Sequence, residues 1–152
     1  MNKSAVQPPY CYEHPMPAVT VDSVVFHVDR SNTIWVLLIQ RNKPPFQGCW
    51  AFPGGFVNES ETVEQALLRE TKEETGILLN EFELFGVYSK PDRDPRQRTI
   101  TIVFLAMVNQ KLVPYAGDDA AKAAWFHLAD LPEFAFDHRA ILDDILLSLQ
   151  NE

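Results

Sequence analysis

Three glutamates at i, i+3 and i+4 (Glu70, Glu73 and Glu74) are the residues of this chain whose type and spacing could do chemistry. They follow a turn marked by Gly54-Gly55. On a helix this spacing sets all three on one side, within reach of a single bound cation. Winding the segment at about 100° per residue puts Glu70 and Glu74 beside Val63 and Leu67, and Glu73 beside Ala66. The acids are therefore expected on the apolar, inward half, with Glu64, Gln65 and Lys72 on the solvent half. Inward carboxylates are costly unless positive charge compensates them. Divalent cations would do so, and oxygen ligands suit Mg²⁺ or Mn²⁺. A Glu-rich run is ordinarily a solvated face, but that reading puts the acids opposite the apolar stripe. Arg69 leaves a further structural alternative open, an i, i+4 surface pair with Glu73.

The fixed positions extend beyond the acids. Gly55, five residues, Glu61, seven residues, then Arg69, Glu70, Glu73, Glu74, Gly76 and Ile77 form a pattern that resembles the Nudix box. One position departs, Thr71, where an aliphatic residue is usual; its methyl can still pack. The resemblance implies an α/β/α sandwich with a mixed sheet between helices, the box forming a loop-helix-loop. It implies hydrolysis within the pyrophosphate of a nucleoside diphosphate joined to another moiety, with Mg²⁺ or Mn²⁺ as cofactor. Cations offset the phosphate charge that repels an attacking hydroxide. Carried over by position, Glu70, Glu73 and Glu74 are the metal ligands, with the backbone carbonyl of Gly54. Arg69 orients Glu73, and Glu61 braces Arg69. Gly54 and Gly55 allow a close backbone approach, and Gly76 is placed to end the helix. The general base is either a box glutamate or an acid of Gly117-Asp118-Asp119, so Asp118 and Asp119 join the catalytic candidates; the plain alternative is a turn.

Substrate contacts rest on the segment Lys90–Arg98, between two expected strands, where functional loops concentrate. Its Asp94-Pro95-Arg96 element, followed by a strand, resembles ADP-ribose pyrophosphatases and their sensor relatives, as does Tyr12-Glu13-His14-Pro15. Arg93, Arg96 or Arg98 could grip phosphate by bidentate hydrogen bonds, and Arg41 joins them as a candidate. A solvated basic turn is the alternative. Phe46 or Trp50 could stack on adenine, and His14 could touch substrate. The resemblance thus implies cleavage of ADP-ribose to AMP and ribose 5-phosphate. The alternatives are a pyrophosphatase for a nucleoside triphosphate, oxidised or not, and a domain that senses ADP-ribose without cutting it.

Several elements must position these residues. Ala18–Val28 alternates and is β-branched, Ile34–Arg41 is an almost unbroken apolar run, and Phe82–Ser89, Thr99–Val108 and Ala123–Leu128 read as further strands. The apolar run predicts a strand covered on both faces. Asn42–Gly48 reads as a loop, and Gly54-Gly55 as the turn into the box. Thr62 with Gln65 predicts a capping box, and Asp137–Leu149 an amphipathic helix. Residues 1–16 read as an irregular lead-in to a single domain over 1–152. At 152 residues and 46% hydrophobic content, the chain suits one domain with a substantial core. A formal net charge of −8 argues against a nucleic-acid surface and leaves a small nucleotide as the expected partner. No run is long enough to cross a bilayer, no signal-like start is present, and Cys11 and Cys49 lack metal-site spacing. These features predict a cytoplasmic protein with unpaired thiols. Many Nudix relatives pair, so a homodimer is a further expectation.

Overall fold

Alternating β-branched residues shape Ala18–Val28 into the central strand, β1, in a computed structural model that describes residues 11–117 and 120–151. Val21 and Val25 point to one face of the sheet; Val24 and Phe26 point to the other. The apolar run Ile34–Arg41 is β2, and its Val36, Leu37, Leu38 and Ile39 are all buried, as a strand covered on both faces requires. The remaining elements are β3 (Trp50–Ala51), β4 (Gly54–Phe56), α1 (Val63–Thr75), β5 (Glu83–Tyr88), β6 (Thr99–Met107), β7 (Ala120–His127) and α2 (His138–Gln150).

The sheet runs β3-β2-β1-β6-β5, with β4 added to β1 and β7 to β2. β1 and β6 pair in parallel over nine residues, Ala18–Phe26 against Thr99–Met107, while the other named pairs are antiparallel. α1 covers one face, with Ala66 and Leu67 packed on Val21, Val25, Leu37 and Phe104. α2 covers the other, with Ile141, Leu142 and Ile145 on Val24, Val36, Leu38 and Val103. Each fully buried Val, Leu or Ile among them contributes about 1.5–3 kcal/mol of transfer free energy. The layers are those of an α/β/α sandwich.

Element boundaries fall within three residues of those read from the sequence, but β3 and β4 were not among the expected strands. Gly54-Gly55 does not turn away from the sheet. It pairs with β1 in the register Asp22↔Gly54 and Val21↔Gly55. β1 therefore changes partner along one edge. Thr20–Asp22 face β4 and Phe26–Val28 face β2, and between them the Ser23 N–H and hydroxyl both donate to the Pro53 carbonyl, at 2.8 and 3.1 Å.

The box helix begins and ends as its sequence predicts. The Gln65 N–H donates to Thr62 Oγ1 at 3.2 Å, and the Thr62 N–H to Gln65 Oε1 at 2.9 Å. Gly76 closes the helix in the left-handed region, φ 73°. Thr71 is wholly buried, and its hydroxyl meets the Ser23 hydroxyl at 2.8 Å. The departure from an aliphatic residue is thus matched across the interface, which joins α1 to β1 by a hydrogen bond as well as by packing. Thr75 is buried too, with its hydroxyl donating to the Thr71 carbonyl at 2.6 Å. Among the described residues no helix is long and apolar enough to cross a membrane, and Cys11 and Cys49 are free thiols.

Candidate active site

A cavity of about 280 Å³ opens where β1 changes partner. Glu70 and Glu74 of α1 enter one wall, beside Gly54 and Gly55 of β4. Both glycines are required by contact. A Cβ on Gly54 would lie 2.0 Å from the Val21 carbonyl oxygen, and one on Gly55 would lie 2.5 Å from Glu70 Oε1. The Gly54 N–H donates to Glu74 Oε2 at 3.1 Å.

Arg69 organises the acids from the outer side. Its Nε and Nη2 donate to the two oxygens of Glu61 at 3.0 and 2.6 Å, and Nη1 reaches Glu70 at 2.7 Å and Glu73 at 3.2 Å. Nη2 also donates to the Phe56 carbonyl at 3.1 Å. Hydrogen bonding to Arg69 holds the Glu61 carboxyl down at about 2. Glu73 does not share the inward half expected of it. Its side chain is 41% exposed, against 15% for Glu70, and it stays outside the cavity.

Charge tests whether these residues fit a divalent cation. Burial pushes the Glu74 carboxyl up to about 8, and the nearby Glu70 and Asp22 carboxylates add to the rise despite the Gly54 N–H. Burial likewise raises Glu70. Two inward oxygen donors that lose protons reluctantly are the chemistry a hard cation would relieve, so the donor set fits one. Among the described residues no three acidic, histidine or cysteine side chains already form a closed cage. Arg69 draws Glu70 and Glu73 toward itself instead.

The rest of the lining includes cationic and aromatic side chains, among them Arg41, Arg93, Arg96, Phe56 and Phe136. The Arg41 guanidinium lies over the Phe136 ring at 4.9 Å, and its Nε donates to the Pro45 carbonyl at 2.8 Å. Arg96 is held by Asp94, with Nε and Nη2 donating at 3.1 and 2.8 Å, and lies over the Phe56 and Phe136 rings at 5.3 and 5.5 Å. Arg93 is directed elsewhere. It is buried, and Nε and Nη2 form a bidentate pair with Asp137 at 3.0 and 2.7 Å. That pairing ties the 90–98 loop to the start of α2 and explains why Asp137, the residue before the helix, makes no side-chain cap.

Other candidates lie apart. Arg98 is exposed and outside the cavity, and His14 is exposed. Trp50 packs edge-on against Phe126, with ring centroids 4.6 Å apart, in the core beneath α2. Phe46 stands beside the cavity with its ring 4.9 Å from that of Phe136. Asp118 and Asp119 lie outside the described residues. The residue before them, Gly117, rests on the end of α1.

Several residues of the site escaped the sequence reading. Asp22, nearly buried in β1, accepts from the Thr101 hydroxyl at 2.5 Å and lies 3.5 Å from His138 Nε2. His138 Nδ1 accepts the Phe52 N–H at 3.0 Å, so in its neutral form the ring carries its proton on Nε2, toward Asp22. Phe136 was also missed, and Asp94 was read only as part of the Asp94-Pro95-Arg96 element, with no role of its own. The available signal was a lone acid inside a β-branched run, Val-Asp-Ser-Val-Val-Phe, because a buried carboxylate needs a reason.

Comparison with known proteins agrees with this architecture. The model of the NUDIX domain matches residues 16–145. An ADP-ribose pyrophosphatase of Methanocaldococcus jannaschii is 50% identical over 131 residues, covering 86% of this chain and 73% of the relative. The ADPR responsive transcriptional repressor NtrR of Acinetobacter baylyi is 31% identical over 144 residues, 92% of this chain and 57% of the relative. The NUDIX domain of Shewanella oneidensis NrtR, solved complexed with ADP ribose, superposes with a TM-score of 0.83 at 29% identity, covering 90% of each chain. The domain model spans most of the sequence, the fold superposes on that of a solved NUDIX domain, and the chain belongs to the NUDIX family.

Proposed function

We propose that this protein is a metal-dependent pyrophosphohydrolase that cleaves ADP-ribose to AMP and ribose 5-phosphate. The observation that carries the reading is one cavity lined both by the inward carboxylates Glu70 and Glu74 and by the arginines Arg41 and Arg96. That pairing of charges suits a diphosphate bridged to the acids by cations. Half identity to an ADP-ribose pyrophosphatase supports the choice of substrate.

In this reading Glu70 and Glu74, with the Gly54 carbonyl, would hold Mg²⁺ or Mn²⁺, while Glu73, outside the cavity and paired with Arg69, would reach an ion only from its outer side. The ion's chemistry is to neutralise phosphate charge and acidify water. Arg69, fixed by Glu61, keeps Glu70 and Glu73 oriented. Gly54 and Gly55 let the β4 backbone approach the acids. Arg41 and Arg96 bind the substrate, with Phe46 beside them, and Arg93 fixes the loop that carries Arg96. Asp118 or Asp119 serves as general base, a role supported by the way Gly117 starts that segment from the end of α1 beside Glu73.

The test is incubation with ADP-ribose and with nucleoside triphosphates under Mg²⁺ and Mn²⁺, with products identified. AMP and ribose 5-phosphate, formed only with metal, are expected. Faster turnover of a triphosphate would overturn the substrate. Tight binding of ADP-ribose without hydrolysis would move the chain to the sensor class, which its likeness to the Acinetobacter repressor makes the relevant second reading.

A further inference from the structure

We propose that Asp94 and Phe136 are positioning residues that set Arg96 to bind a phosphate oxygen of the substrate's diphosphate. The inference rests on the function proposed above and adds two residues to it.

Arg96 is constrained in two independent ways. Asp94, whose side chain is 3% exposed, takes both Nε and Nη2 of the guanidinium and also accepts the Arg96 backbone N–H at 2.9 Å. That fixes one edge of the fork. Phe56 and Phe136 lie beneath the guanidinium carbon at 5.3 and 5.5 Å, which fixes its plane. The remaining nitrogen, Nη1, has no protein partner among the described residues, and Arg96 lines the same cavity as Glu70 and Glu74. An arginine held by one edge and one face, with donors left over in a cavity, is built to receive an acceptor oxygen.

Phe136 is the less ordinary half of the device. Its φ is 51°, a left-handed conformation that a bulky residue adopts only when its surroundings enforce it. From that position its ring meets Arg41, Arg96, Phe46 and His138. The ring also packs on the small core of Ile39, Ala51 and Ala135, although glycine or asparagine would take the backbone more easily. Among its contacts are both Arg41 and Arg96, and holding these two side chains is a role that the core packing alone does not require of it.

The experiment measures the dissociation constant of ADP by calorimetry, and KM and kcat for ADP-ribose, in the unsubstituted protein, R96A, D94N and F136N. Removing a charge-assisted hydrogen bond should weaken ADP about tenfold in R96A. D94N and F136N should follow in the same direction, with KM rising more than kcat falls. F136N tolerates the left-handed backbone but gives up the ring's packing on Ile39, Ala51 and Ala135, so a thermal melt is run beside it and the expected result is an ADP affinity that drops in protein still folded at the assay temperature. Unchanged ADP affinity in folded D94N and F136N would overturn the proposal, as would unmeasurable ADP binding by the unsubstituted protein. Arg96-dependent ADP binding without ADP-ribose hydrolysis would instead support this inference and overturn the proposed activity alone.

Discussion

Gly117 rests so closely on the backbone of Glu73 that a Cβ there would lie 2.2 Å from the Glu73 carbonyl oxygen. Two residues earlier, the Tyr115 N–H donates to the Thr75 carbonyl at 3.1 Å, and the Tyr115 ring covers Gly76. The segment leading to Asp118 and Asp119 is therefore clamped to the last turn of the box helix. G117A must push the two apart. Turnover should fall by about 10- to 100-fold, the range seen when residues that orient metal ligands are disturbed. The melting temperature should change little. Steady-state kinetics beside a thermal melt checks this, and unaltered kcat would show that the clamp has no part in the reaction.

E74Q separates charge from shape. Glutamine can still accept the Gly54 N–H, so the fold should survive. Losing the inward carboxylate should cost more than about 100-fold in kcat, beyond the usual effect of an orienting residue. The metal-free variant should melt no lower than the unsubstituted protein, because a neutral amide replaces a carboxyl whose charged form burial disfavours. Near-normal turnover with saturating Mg²⁺ would remove Glu74 from the ligand set.

R93A tests a structural assignment. The bidentate pair with Asp137 is largely buried, and losing one partner of a fully buried pair costs about 3–5 kcal/mol. Asp137 keeps 25% of its side-chain surface exposed, so about 2 kcal/mol is the expected loss in urea unfolding. Full stability with a raised KM would return Arg93 to the substrate contacts.

Buried His138 should make stability depend on pH in a definite direction. Burial holds its pKa below the ordinary value of 6.5, so on acidification the unfolded chain takes up the proton first. Its contribution is complete above 6.5 and is lost as pH falls toward the folded value, with a slope of up to about 1.4 kcal/mol per pH unit. Glu74 acts oppositely in metal-free protein. Its folded pKa of about 8 lies above the ordinary 4.5, so its contribution is lost as pH rises between them. The raw slope is therefore not diagnostic, but the difference from H138Q is. Urea unfolding at pH 7.5 and 5.5 should show that the unsubstituted protein loses more on acidification than H138Q. Parallel behaviour would mean that His138 is solvated when charged.

The residue pattern foretold the box helix and its caps because those features are local. Thr62, Gln65 and Gly76 act within a turn or two of themselves. Glu73 was misplaced because the winding was referred to Val63, Ala66 and Leu67 alone, without Thr71 and Thr75. Their hydroxyls are satisfied by Ser23 and by the helix backbone, so both are buried. The buried face therefore turns toward Thr71, about 200° around the helix from Glu73. Arg93 could not be read because its partner, Asp137, is 44 residues away. β4 was hidden because its glycines suggest a turn, whereas here they permit close strand contact.

The change of partner along β1 has a mechanical consequence. The cleft is not a gap between two bodies that swing on a hinge; its floor is one continuous ladder that holds β4 at one end and β2 at the other. Widening that floor would mean tearing backbone hydrogen bonds out of the middle of the sheet. Discrimination there must come from fixed fit, and any closing motion is left to the loops around the rim.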